Sequence, residues 1–453
     1  MLDNKLFYTL LVTFFLVLTT VIVDNVLLSY IIPIIYLVQI VTFGLVFFKS
    51  RNNRYYIFSP TFLTLLYLNL NFIVGHITVS TGLGFDLKYY NAFMRYESLT
   101  FITVYLIICN MIVFTSLQFT RINRLPYTFE SNDIKVPKFL IPLLLIVLFV
   151  LGFVQVDLSF IGGGGDFSYV YKLLCACFIV FILSYKKKKS RFFIYPLIIV
   201  FFIIGSYSSK REILYVIILI IFLEIMRNRS NLKINLKYLF YGFLGFCGFI
   251  YIVLVSSIMR GYGSYEPENI VEASSYINDY VTSDIFLDAL TANFETNAVY
   301  GNSTNAINYV YSNQVELTYG STFLKFLFIP FPRQIFPDKP DSMIDIYTRK
   351  FMPEFRAIGG SYPIIIYSEV FWNFHILGFV FLFFLFKILN KLYVKLLINI
   401  NNNIMNVGTI FLLFMYITFI QFVRGSGLEI WLLYGVLTLP LAFIINFLIK
   451  YFR

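Results

Sequence analysis

The sequence predicts an all-α polytopic membrane protein of about twelve transmembrane helices, and three observations carry that expectation. Of the 453 residues, 59% are apolar and 13% charged, with a mean hydropathy of +0.79. Apolar runs of about 20 residues, long enough for a hydrocarbon core of about 30 Å, recur along the chain. The basic residues gather on alternate connections between those runs. A soluble domain cannot bury so large an apolar share, and the low charge, Pro, Gly and Cys contents exclude disordered, collagen-like, coiled-coil and disulfide-scaffold chains.

The runs lie near 6–23, 27–48, 60–78, 98–117, 139–156, 167–185, 192–206, 213–226, 238–257, 362–386, 405–423 and 428–449. The first follows Lys5 as a signal peptide would, but no small-x-small cleavage site follows it, which predicts a retained anchor. The seventh and eighth are short and only Gly205 to Glu212 divides them. With a cytoplasmic N-terminus, the inside connections hold 22 of the 35 Lys and Arg and only four of the 24 acids, Asp3, Glu130, Asp133 and Glu224. This is the positive-inside distribution, and it predicts both termini inside. The net charge of +11 is then a topology signal and an attraction to anionic lipid, with no footprint for nucleic acid. Cys109, Cys175, Cys177 and Cys247 fall within spans and read as small apolar packing residues. The pair Cys175 and Cys177 has the wrong spacing for a zinc knuckle or a redox motif.

The chain divides into spans 1–9 (1–257), a long outward loop (258–361) and spans 10–12 (362–453). The loop holds half of all the acids. Its stretch 268–290 repeats apolar residues at helical spacing, and Phe323 to Pro332 is apolar but too short to span, which predicts an interfacial or re-entrant helix ended by Pro330 and Pro332. A loop of this length without linker composition is usually functional. No internal repeat of the transporter kind is visible.

Basic residues are disfavoured on the outward face, yet Arg211, Arg260, Arg333, Lys339 and Arg424 lie there beside glycines, prolines or small residues. Each alone reads as a snorkelling anchor. Several converging on one spot would suit a pyrophosphate, because Arg holds phosphate oxygens bidentately and is permanently charged. Glu369 and His375 lie within the tenth span, as functional candidates or as polar pins of helix packing. Other motifs point nowhere special. Gly162 to Gly165 with Asp166 lacks the Lys-Ser/Thr of a phosphate loop, and Gly261-Tyr262-Gly263 follows Arg260 instead of a filter Thr-Val. Asp284 and Asp288 read as an exposed helical face, the two His residues are isolated, and no Asp-x-Asp occurs, so the residues point away from metal chemistry.

Four local patterns resemble the Wzy family, the polymerases of O-antigen, enterobacterial common antigen and capsular polysaccharide. They are Ser208-Ser209-Lys210-Arg211 running into a span; Arg260-Gly261-Tyr262-Gly263 at the loop entrance; Phe328-Ile329-Pro330 through Phe336-Pro337-Asp338-Lys339-Pro340-Asp341-Ser342; and Arg424-Gly425-Ser426 before the last span. The pair Phe294-Glu295 is similar to an aromatic-Glu pair in that family. The likeness covers about 200 to the C-terminus. It implies a fold similar to the GT-C class of membrane glycosyltransferases, in a bacterial plasma membrane with the large loop outside.

The implied reaction transfers a growing glycan from undecaprenyl pyrophosphate onto a lipid-linked repeat unit, with no cofactor or metal, and with a flippase and a chain-length regulator of the same pathway as further partners. Glu295 is the expected base, with Glu369 as second choice. Arg211, Arg260 and Arg424 would stabilise the leaving pyrophosphate, Arg333 and Lys339 would orient the loop or hold phosphate, and Tyr262 would offer a face to sugar. O-antigen ligases share the plan but usually carry a loop His, which 258–361 lacks. A lipid-linked oligosaccharide flippase and a structural scaffold are the rival readings.

Overall fold

A computed structural model describes residues 2–50, 53–83, 98–120, 122, 125, 137, 139–151, 168–185, 188–205, 210–227, 236–259, 261, 265–328, 335–402, 404 and 406–451. These residues form helices and turns, with no strand among them. In chain order the helices are α1 (Leu2–Ile22), α2 (Asn25–Phe48), α3 (Asn53–Ile57), α4 (Pro60–Thr81), α5 (Leu99–Gln118), α6 (Leu140–Leu151), α7 (Ser168–Ser184), α8 (Lys188–Gly205), α9 (Lys210–Arg227) and α10 (Leu236–Met259). The loop region contributes α11 (Ile270–Ser275), α12 (Ile277–Thr282), α13 (Phe286–Phe294), α14 (Thr296–Tyr311), α15 (Ser321–Phe328), α16 (Met343–Phe351) and α17 (Pro353–Ala357). The chain closes with α18 (Ile366–Phe374), α19 (Gly378–Asn401), α20 (Val407–Thr418) and α21 (Leu428–Tyr451).

Each apolar run of the sequence holds a helix among its described residues. Among the described residues six segments are long and apolar enough to cross a membrane: Lys5–Ile22, Asn25–Phe48, Pro60–Thr81, Leu99–Gln118, Ile366–Asn401 and Leu428–Leu448. Leu140–Leu151, Ser168–Ser184, Phe193–Ile203, Phe243–Met259 and Val407–Thr418 are shorter apolar helices. The tenth run differs from its expected bounds. Its helix begins at Ile366, breaks at His375–Leu377 where His375 takes φ +52, and continues to Asn401, so Lys387, Lys391 and Lys395 stand on the helix and not on a connection. The periodic stretch 268–290 is likewise broken into α11, α12 and the start of α13, because Ser283 turns extended after α12.

Several polar side chains inside the bundle are paired with one another, as apolar surroundings favour. The Asn110 amide on α5 donates to Gln39 Oε1 on α2 (2.8 Å) and to Asn69 Oδ1 on α4 (3.2 Å), and its oxygen accepts from Tyr367 on α18 (3.0 Å). One end of the bundle joins the basic segments: Lys5 Nζ donates to Lys49 O (3.0 Å), Tyr393 to Tyr55 O (3.0 Å) and Tyr185 to Ile400 O (2.9 Å). Arg191 and Glu224 pair there at 2.5 Å, linking α8 to α9. The loop region occupies the other end.

Its central helix, α14, is almost wholly buried despite the polar sequence Tyr300-Gly301-Asn302-Ser303-Thr304-Asn305. Small side chains let it approach α4, where an added Cβ on Gly75 would stand 2.6 Å from Thr296 O and collide with Tyr300. His76 binds the Tyr300 hydroxyl (3.2 Å) and Ser29 O (2.5 Å), Ser368 donates to Ser303 O (2.9 Å), and the Tyr347 hydroxyl on α16 lies 3.1 Å from both Asn302 and Asn305. Before it, α11 to α13 ride on the end of α10 through Ile258, Ala273, Tyr280 and Ala289.

Gly75→Val is therefore expected to lift α14 from α4 and lower the melting temperature of detergent-purified protein, at a cost of about 1–3 kcal/mol typical of overpacking. An unchanged melting curve would show that the close approach carries no weight.

Candidate functional site

The chain between α20 and α21 is a π-turn, Phe422–Ser426, that presents Arg424. Gly425 at φ +117 makes the turn possible, because a Cβ there would overlap the Ile364 backbone. Opposite stands Glu295, between α13 and α14, itself in the left-handed region at φ +56. A non-glycine residue held there costs about 1–2 kcal/mol, which the docking of α14 has to offset. The Arg424 guanidinium donates directly to the Glu295 carboxylate, and both side chains remain partly exposed, at 25% and 37%. Arg211, near the start of α9, donates to Gln421 Oε1 at 3.4 Å, and Ser426 donates to the same oxygen at 3.3 Å.

Arg211, Glu295 and Arg424 line one cavity of about 660 Å³. Its walls come from α4, α9 and α20, with Tyr67 and Tyr215 among apolar side chains, and its loop side carries Ile344, Ser361 and Pro363. Two cations, one carboxylate and an apolar flank thus meet where the bundle adjoins the loop. Such a site can hold an anionic group beside an apolar chain and has a carboxylate available for proton transfer.

The other nominated residues are placed elsewhere. Lys339 is buried within the loop and is not among the cavity's lining residues. Glu369 is also away from the cavity lining: it is 1% exposed and accepts from Thr322 (2.9 Å), while Asn373 bridges Thr322 and the backbone of Glu369 and Gly320. Through Thr322 it joins α15 to α18. His375 lies against the Phe371 ring at the helix break, tilted by 33° with ring centres 4.6 Å apart. Arg260, Tyr262, Arg333 and the glycine run 162–165 lie outside the described residues. The apolar stretch after Phe323 forms α15, which packs on α21, and 329–334 lie outside the described residues. Among the described residues no group of three or more His, Cys, Asp or Glu could hold a metal ion.

A second charged cluster escaped the sequence reading. Lys325 on α15 reaches Asp345 (3.5 Å) and Glu429 (4.0 Å), and Arg356 pairs with Asp345 at 2.6 Å. Burial pushes the Asp345 carboxyl up, yet the Ser342 hydroxyl, Lys325 and Arg356 together hold it below its ordinary 3.8. Lys172 and Glu212, both buried, pair at 3.6 Å between α7 and α9. Gln421 was missed as well. For Glu429, Gln421 and Lys172 the available signal was a polar residue inside or at the edge of an apolar run.

The chain matches no family model, no curated protein and no solved structure.

Lys325→Met would leave Glu429 buried without its counter-ion. A loss of roughly 3–5 kcal/mol is expected, read as a lower melting temperature in detergent. Asp345 is more acidic folded than unfolded, so its stabilisation is present above the unfolded carboxylate range and fades as pH falls through the folded value. The stability difference between wild type and Asp345→Asn should therefore shrink as the pH is lowered from 7 toward 3. A difference that stays constant would remove the ion pairs as its cause.

Proposed function

We propose that the protein is a polysaccharide repeat-unit polymerase of the bacterial plasma membrane. In this reading it is a GT-C-like glycosyltransferase of about twelve spans, with the loop on the outer face and both termini in the cytoplasm. The observation that supports this most is the convergence of Arg211, Arg424 and Glu295, from three distant parts of the chain, on one cavity between bundle and loop. The cavity suits a donor with an undecaprenyl chain and a pyrophosphate: apolar helix faces for the one, guanidinium groups for the other.

In the proposed reaction the acceptor hydroxyl of a new lipid-linked repeat unit attacks the anomeric carbon of the donor glycan. The bond from that carbon to the pyrophosphate oxygen breaks, its electrons leave on undecaprenyl pyrophosphate, and the hydroxyl proton passes to Glu295. The energy lies in the sugar-pyrophosphate bond, so the chemistry calls for neither nucleotide nor metal. Without substrate, Arg424 and Glu295 neutralise each other. An arriving pyrophosphate competes for the guanidinium with more charge and bidentate oxygens, and the carboxylate it displaces becomes free to take a proton. Arg211, steadied by Gln421, would take part of the charge that develops on the leaving group. The absence of a loop His favours polymerase over ligase.

Supplied with a lipid-linked repeat unit, purified protein should form a ladder of glycan lengths. Arg211→Ala is expected to slow it roughly 10²- to 10³-fold, and Glu295→Gln to abolish it while lipid binding persists. Undiminished ladders from both variants would overturn the site assignment. Translocation of the lipid-linked unit without elongation would favour a flippase.

A further inference from the structure

A second cavity, about 470 Å³, shares no lining residue with the first and lies where the C-terminal end of α5 meets α19; Phe119, Thr120, Lys387, Lys391 and Val394 line it. Lys387 and Lys391 are one turn apart on α19 and so share a face. Neither is paired with an acidic side chain among the described residues. The Lys387 ammonium stands 5.8 Å from the Phe119 ring centre and 5.7 Å from those of Phe383 and Phe384. Three rings around one cation fix its position by cation–π attraction. Phe119 and Phe384 are more than half exposed on the outer surface of the bundle.

The depth fits a membrane boundary. The apolar helix α5 runs unbroken for 20 residues, about 30 Å and close to the thickness of the hydrocarbon core, and Phe119 and Thr120 directly follow its last residue. Two ammonium groups at that level, with exposed aromatic faces toward the lipid, form a basic pocket between helices of the kind that binds phospholipid head groups. A zwitterionic head group would bring its own ammonium, for which the lining residues offer no carboxylate. An anionic head group brings only the phosphate charge that the two lysines lack.

We infer that this pocket is a binding site for an anionic glycerophospholipid, with its phosphate between Lys387 and Lys391 and an acyl chain against Phe119 and Phe384. The site is independent of the proposed polymerase chemistry.

Native mass spectrometry of the full-length protein, titrated with phosphatidylglycerol or phosphatidylcholine, tests it. Phosphatidylglycerol should be retained preferentially. Lys387→Gln with Lys391→Gln should weaken its binding roughly 10- to 30-fold. Lys395→Gln, one turn further on and outside the lining, should leave binding within about twofold of wild type. Should the double variant fail to fold, the exposed Lys391→Gln alone is expected to weaken binding at least threefold. Equal retention of the two lipids, an equal loss in Lys395→Gln, or unchanged affinity in a folded Lys391 variant would overturn the inference. Displacement of bound phosphatidylglycerol by millimolar inorganic phosphate would also overturn it, by assigning the pocket to a soluble anion.

Discussion

The close approach of α14 to α4 at Gly75 is the constraint on which the candidate site depends. A helix rich in Asn, Ser, Thr and Gly has little apolar surface to bury, so its position is secured by near contact of backbones and by hydrogen bonds that only a close fit can complete. His76, Ser368 and Tyr347 each meet α14 from a different helix. Glu295 immediately precedes that helix, and its left-handed backbone is sustained by the packing that follows it.

Electrostatics then does what packing cannot. Arg424 and Glu295 come from segments 129 residues apart, and their pairing keeps either from being left as a lone charge beside an apolar cavity wall. Because both remain partly exposed, the pair is held weakly enough to be exchanged for a better partner. The deeper Lys325 cluster is of another kind: Glu429 is 1% exposed and its carboxylate oxygens accept no hydrogen bond, so its charge depends on Lys325. One arrangement suits exchange with a ligand, the other permanence.

Much of this was legible in the sequence, and the parts that were not share a cause. Apolar runs marked the bundle helices because length and composition are local properties, and the basic connections grouped at one end, as Lys5 with Lys49 and Arg191 with Glu224 illustrate. Arg211, Arg424 and Glu295 could be nominated singly from charge and neighbours; their meeting required tertiary structure. That the loop is helical was legible, but the burial of α14 was not: beside Val299, Ala306, Ile307 and Val310, its buried face is built from small side chains and paired amides. The extent of α19 was misjudged because Lys387, Lys391 and Lys395 looked like a connection, whereas lysine is a good helix former beyond a membrane boundary.

The fit of Gly425 against Ile364 has a consequence for how the cavity can open. The π-turn and the backbone leading into α18 are so close at Gly425 that no side chain fits between them. The segment before α18 therefore cannot lift away from the cavity without parting from the turn that carries Arg424. For the polymerase proposed above, a lipid-borne chain would then have to enter from the side, along α4 and α9, whose Tyr67 and Tyr215 line the cavity. In that reading traffic would run in the plane of the bilayer, and the membrane itself would serve as the corridor.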